Sequence, residues 1–178
     1  LKNGNEVEFE DKMLEATLGP GLLSSSYDGL QNDLTTMTGV FLKRGEYTDP
    51  LNHEKLWSFT PVAKPGDKVV AADWLGEVKE GWLPHKIMVP FSFKGEYTVK
   101  SVVEEGEYNI DKVIAVLTNA EGEDVEVTMT QKWPVKVAIK GYKEKPRPNR
   151  IMETGVRVID TLDPIAEGGT GFIPGPFG

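Results

Sequence analysis

The chain has 178 residues, of which 39% are hydrophobic and 27% charged, with a formal net charge of −8 and no cysteine. That composition is of a folding globular chain with room for one ordinary domain plus flanking pieces, and it excludes disulfides and thiolate zinc sites. No apolar run approaches the roughly 18 residues of a membrane-spanning helix, and the acidic balance opposes nonspecific binding to nucleic acid or anionic lipid. The first ten residues are polar and acidic and do not read as a leader peptide.

Glu6 to Glu10 alternates acid and apolar residues, a period of two that predicts an exposed strand. Met13 to Leu18 follows as a second short strand or its connector. Leu18-Gly19-Pro20-Gly21-Leu22-Leu23 is a turn, because glycine admits positive φ and proline fixes its own. Ser24 to Leu30 reads as a surface loop. Its three consecutive serines raise the question of a nucleophile, but the chain has only His53 and His85, and no spacing ties either to them. Solvated loop residues or helix caps are the better account.

From Gly39 the texture changes. Short strands are expected at Val40 to Leu42, Leu56 to Phe59, Lys68 to Val70, Asp73 to Val78, Lys86 to Val89, Tyr97 to Val99, Val113 to Leu117 and Val125 to Met129. Turn residues separate them at short intervals, the pattern of an all-β sandwich or small barrel. Pro65-Gly66-Asp67 and Glu105-Gly106-Glu107 look like equivalent turns, which predicts a quasi-twofold pair of hairpins. Residues 39–130 thus read as a self-standing β insert. Its acid cluster, Glu121, Glu123, Asp124 and Glu126, lacks the loop spacing of a calcium site and reads as a solvated hairpin tip. The two isolated histidines offer no metal-ligand spacing either.

Gln131 to Arg150 carries seven Lys/Arg against one acid. Nucleic-acid contact is one reading, but Pro134, Pro146 and Pro148 point to an extended connector with a solvated charged face. Thr154 to Leu162 is a short helix with Val156, Val158 and Ile159 on its apolar side, ended by Asp163-Pro164. Gly168 and Gly169 make a turn, and Thr170 to Ile173 is a strand. Gly175, Pro176, Phe177 and Gly178 match the first four positions of a phosphate-binding loop, G-x-x-x-x-G-K-[ST]. With Leu1 rather than Met at the start and this partial loop at the end, the chain reads as a fragment of a nucleotide-handling protein.

Two resemblances bear on that reading. Val89-Pro90-Phe91-Ser92-Phe93-Lys94-Gly95 is similar to the segment after the cofactor hairpin of lipoyl and biotinyl carrier domains. That places Pro84 or His85 where the carriers hold their modified lysine, with Lys86 nearby but off register. A strand-edge lysine that blocks edge pairing is the ordinary alternative. The broader resemblance rests on Leu18-Gly19-Pro20-Gly21-Leu22 with Tyr27-Asp28-Gly29-Leu30-Gln31, on His85-Lys86-Ile87-Met88-Val89-Pro90 and on Gln131-Lys132-Trp133-Pro134-Val135. Thr154-Gly155, Arg157-Val158-Ile159-Asp160, Gly168-Gly169-Thr170 and Ile173 to Gly178 complete it. In this order and spacing the chain resembles the catalytic A (alpha) subunit of V-type and archaeal A-type rotary ATPases over essentially its whole length. Ser24-Ser25-Ser26 and Val156 depart from that family's pattern.

The resemblance implies a mainly β chain. Residues 1–12 would be the end of an N-terminal β-barrel, 13–38 a linker, 39–130 the bulge or non-homologous insert, and 131–178 the lead-in to a P-loop nucleotide-binding domain, truncated in the loop. It implies ATP or ADP and Mg2+ in the intact subunit, with none bound by the fragment. Its partners would be the B subunit and the central and peripheral stalk subunits, without nucleic acid or direct membrane insertion. The location would be cytoplasmic and peripheral to the membrane. Nucleotide contact would fall to Gly175, Pro176, Phe177 and Gly178, with no catalytic or metal-ligating residue in the fragment, and the transported ion, H+ or Na+, is not specified.

Overall fold

The computed structural model describes residues 2–9, 11–37, 41, 45, 47–141, 144–172 and 174–176. It falls into two compact units, Leu1–Gly141 and Tyr142–Gly178. The chain is mainly β. In the first unit the strands are β1 (Glu15–Leu18), β2 (Trp57–Pro61), β3 (Lys68–Val69), β4 (Trp74–Glu80), β5 (Leu83–Met88), β6 (Tyr97–Val102), β7 (Gly106–Tyr108), β8 (Ala115–Thr118), β9 (Asp124–Val127) and β10 (Gln131–Pro134).

Two four-stranded antiparallel sheets, ordered β5-β4-β2-β7 and β3-β6-β8-β9, form the body. Both supply one buried cluster: Trp57, Phe59, Leu75, Val78 and Ile87 from the first sheet, and Val69, Val99, Ala115, Leu117 and Val127 from the second. The pleat explains the selection. Successive side chains point to opposite faces, so Trp57 and Phe59 are buried while Ser58 and Thr60 are exposed. Ala115 and Leu117 are likewise more deeply buried than Val116 and Thr118. Neither sheet closes on itself among the described residues, so the small-barrel alternative gives way to a sandwich.

A third pairing ties the flanks together. β1 and β10 form an antiparallel ribbon in the register Glu15 with Pro134 and Leu18 with Gln131. Two strands alone are marginal in water, and this ribbon has further support. The Gln31 side chain accepts from the Thr17 amide and donates to the Thr17 carbonyl, both at 2.7 Å, completing that residue's backbone pairing as another strand would. On the β10 side, Trp133 packs edge-on against Phe91 and its indole N–H donates to the Val137 carbonyl.

Several expectations are corrected. Glu6 to Phe9 forms no strand and lies exposed, because alternation alone supplies no partner for the backbone groups. Gly66 sits in a turn with φ +93°, whereas Gly106 lies within β7, paired with Phe59 of β2, so the two are not equivalent and the quasi-twofold pair of hairpins is absent. Thr170 to Phe172 is irregular and exposed rather than a strand. The strand expected at Val40 to Leu42 rests on Val40 and Leu42, which lie outside the described residues.

In the second unit the helix is shorter than expected, α1 (Arg157–Leu162). It buries none of its residues, and Val156 and Val158 on the anticipated apolar side are exposed. Asp163 ends it, ahead of Pro164.

Gly76 is the tightest point of the core. A Cβ there would lie 2.3 Å from the Phe59 ring and 2.9 Å from the Thr60 carbonyl oxygen, neither of which can move without disturbing β2. Gly76→Ala is therefore expected to destabilise the first unit by about 1–3 kcal/mol, the usual cost of overpacking, read as a lower urea midpoint at unchanged slope.

Candidate functional site

The glycine- and proline-containing turn Leu18 to Leu23 docks on the end of the β4–β5 hairpin through one carboxylate. A register shift between Trp74 and Gly76 places Gly76, Val78 and Glu80 on one face of β4, and all three are buried. Glu80 thus occupies a core position, and a carboxylate there must find partners. Its Oε1 accepts from the backbone N–H groups of Gly21 at 2.7 Å and Leu23 at 3.2 Å. Its Oε2 lies 2.6 Å from Nδ1 of His85, across the hairpin. Gly21 can present its amide this way because φ is +112°, a backbone shape that disfavours any side chain. Beside it, a Cβ on Gly19 would meet Thr130 at 2.9 Å and Leu51 at 3.1 Å.

The neighbouring motif residues are structural as well. Asp28 folds its own loop by accepting from the Leu30 and Asn32 amides and the Asn32 side chain, which hold its carboxyl below the ordinary 3.8, the Asn32 side chain most of all. Gln131 accepts from the Phe91 amide. Neither histidine faces the serine run: His85 pairs with Glu80 and His53 with Asp49 and Asp111. Ser25 donates to the Gly21 carbonyl. Among the described residues no group of His, Cys, Asp or Glu is arranged to hold a metal ion.

Lys86 is not a carrier lysine. It lies within β5, ion-paired to Glu77 and 4.6 Å from the centroid of the Trp74 ring, whereas the hairpin turns at Gly81 and Trp82. Of the acid cluster, Glu121 and Glu123 lie in the β8–β9 turn, with Asn119 as its hydrogen-bonding hub, whereas Asp124 and Glu126 stand exposed on β9.

In the second unit, Asp160 gathers the start of α1. It accepts from the Thr154 hydroxyl at 2.6 Å and from the Thr154 and Gly155 amides, and these bonds, the hydroxyl's first, hold its carboxyl below 3.8. Ile151 bridges Ala166 in antiparallel fashion, with Arg150 ion-paired to Glu167. This brings the chain back to Gly168, where φ is +74°, and Gly169, where a Cβ would lie 2.9 Å from the Ala166 carbonyl oxygen. Of the expected nucleotide contacts, Gly175 and Pro176 are exposed and irregular. Phe177 and Gly178 lie outside the described residues.

Residues 48–136 match the family described as the ATP synthase alpha/beta subunit barrel-sandwich domain. The chain belongs to this family. The matched range contains both four-stranded sheets and ends in the β10 flank. Relatives extend the likeness over 98% of this chain: the V-type ATP synthase alpha chain of Borrelia turicatae (strain 91E135) is 51% identical, that of Borrelia recurrentis (strain A1) 50%, and that of Borrelia garinii subsp. bavariensis 49%. The chain spans 31% of the length of each of these relatives. In this barrel-sandwich domain, the Glu80 contact was invisible to pattern reading: a Glu among polar strand residues gives no sign that a bulge has turned it inward.

Glu80→Ala leaves two part-buried amides without their acceptor and is expected to cost about 1–2 kcal/mol. Glu80→Gln, which retains one oxygen for the same amides, is expected to cost less. Chemical denaturation of the two variants beside the parent chain checks the ranking.

Proposed function

We propose that this chain is part of the catalytic alpha subunit of a V-type rotary ATP synthase, an enzyme that couples ATP hydrolysis or synthesis to H+ or Na+ transport. The observation that carries the reading is the coincidence of the barrel-sandwich fold over residues 48–136 with about 50% identity to V-type ATP synthase alpha chains over 98% of the chain. In this reading residues 1–12 close an N-terminal β-barrel, 13–38 link it to the insert, 39–130 are the bulge, and 131–178 lead into the nucleotide-binding domain. The β1–β10 ribbon, which brings the two flanks of the insert side by side, supports a module attached through two adjacent strands.

The chain's own role is then structural. It presents its β sandwich toward the B subunit and the stalk subunits, and it belongs with the cytoplasmic sector at the membrane. Among the described residues no helix is long and apolar enough to cross a membrane.

The residues present do not fit Mg-ATP by themselves. A phosphate loop needs backbone amides, a lysine on the β/γ-phosphates and a hydroxyl on Mg2+. After Gly171 this sequence has glycines but no Lys, Ser or Thr. Gly175 to Gly178 would line the start of such a loop, and no catalytic step is assigned to this chain.

Two outcomes test the proposal. Titration of the 178-residue chain with Mg-ATP in a calorimeter should show no micromolar binding. Replacing the matching third of the Borrelia turicatae alpha chain by this chain should give a subunit that assembles and supports ATP hydrolysis. Tight nucleotide binding by the chain alone, or a soluble, folded chimera that does not assemble, contradicts it.

A further inference from the structure

His53 has one ring nitrogen against each of two carboxylates, brought to it from different parts of the chain. Nε2 lies 2.9 Å from Oδ2 of Asp49 and Nδ1 lies 2.7 Å from Oδ2 of Asp111. Asp49 precedes it in the same loop, while Asp111 sits 58 residues on, in the turn between β7 and β8. A neutral imidazole carries a single N–H, so it can donate to one carboxylate only and turns a bare lone pair on the other. Both contacts are satisfied together only by the doubly protonated ring, a cation between two anions.

The contact joins two differently anchored segments. On one side, the loop around His53 is knitted to the chain before it. The Thr48 amide donates to the Asn32 side chain, the Asp33 amide to the Thr48 hydroxyl, and the Tyr27 hydroxyl to the Pro50 carbonyl. On the other side, Ile110 is fully buried in the sandwich and its carbonyl accepts from the Met129 amide. His53 therefore closes residues 26–34 and 48–53, as one body, over the rim of the sandwich. Leu51 anchors the same loop from within the core, so the histidine controls the closure of a tethered segment rather than its attachment.

We propose that Asp49, His53 and Asp111 form a protonation-gated clasp that holds residues 48–53 against the 109–112 turn while the ring is an imidazolium and releases them when it becomes neutral. The charged groups that act on the ring are Asp49 from its own loop and Asp111 from the turn packed against it. The neighbouring Lys55 places its ammonium 3.9 Å from the centroid of the Trp57 ring. Asp111 first, and then Asp49, raise the His53 pKa above the ordinary 6.5. A raised folded value means that the stabilisation is fully present below 6.5 and is lost as the pH rises through the raised, folded-state value. The clasp opens on the alkaline side. About half the ring is exposed, so protons reach it from solvent without an unfolding step.

The test is a proton NMR titration of the full chain from about pH 5 to about pH 9, spanning the histidine range. It follows the His53 ring protons, with amide exchange corrected for the intrinsic effect of pH. The expected result is a His53 midpoint above 6.5, with protection of the Leu51 and Lys112 amides lost in step with it. In His53→Gln that protection should stay at the open level throughout, and Asp111→Asn should lower the His53 midpoint. A His53 midpoint at or below 6.5 in the parent chain overturns the clasp, as does protection that does not change through the titration. Should either variant fail to fold, the parent titration alone decides.

Discussion

A carboxylate at the end of a core strand sets the architecture of the first unit. Glu80 continues the inward register of Gly76 and Val78, and burial there would be costly without compensation. Compensation comes from outside the sandwich, in the backbone amides of Gly21 and Leu23, and from across the hairpin, in His85. Because amides of the leading segment satisfy it, the segment before the sandwich and the sandwich itself hold each other in place. The glycines of that segment serve this single need: Gly21 for its positive φ, and Gly19 for its approach to Leu51 and Thr130.

The same logic recurs where polar side chains extend backbone pairing. Gln31 stands in for a strand beside Thr17, and Gln131 takes the Phe91 amide. These contacts fasten the β1–β10 stem to the segments beside it without a core of its own. Stability in such a stem resides in satisfied backbone groups more than in buried area, since Met13, Leu14, Val135 and Val137 remain exposed.

The second unit is organised differently. Its helix buries nothing, and its order comes from the hydrogen bonds of Asp160, from the Ile151–Ala166 bridge and from the Arg150–Glu167 pair. Local hydrogen bonding of this kind shapes a turn but supplies little apolar burial. The glycine-rich residues beyond it, Gly175 and Pro176, are correspondingly exposed.

By itself the sequence determined the β class, most of the strands between Leu56 and Met129, the short helix ahead of Asp163-Pro164, and the family. Period-two alternation, turn residues and ordered motif blocks are all local signals, and they survive without a structure. Only the tertiary structure decided that Gly106 pairs within a sheet while Gly66 turns, that Glu6 to Phe9 has no partner, and that the sheets stay open rather than closing into a barrel. It also decided the roles of Glu80 and His53. Strand pairing and the protonation of a histidine are set by groups tens of residues away, and alternation along a segment says which side chains share a face but not what that face will meet.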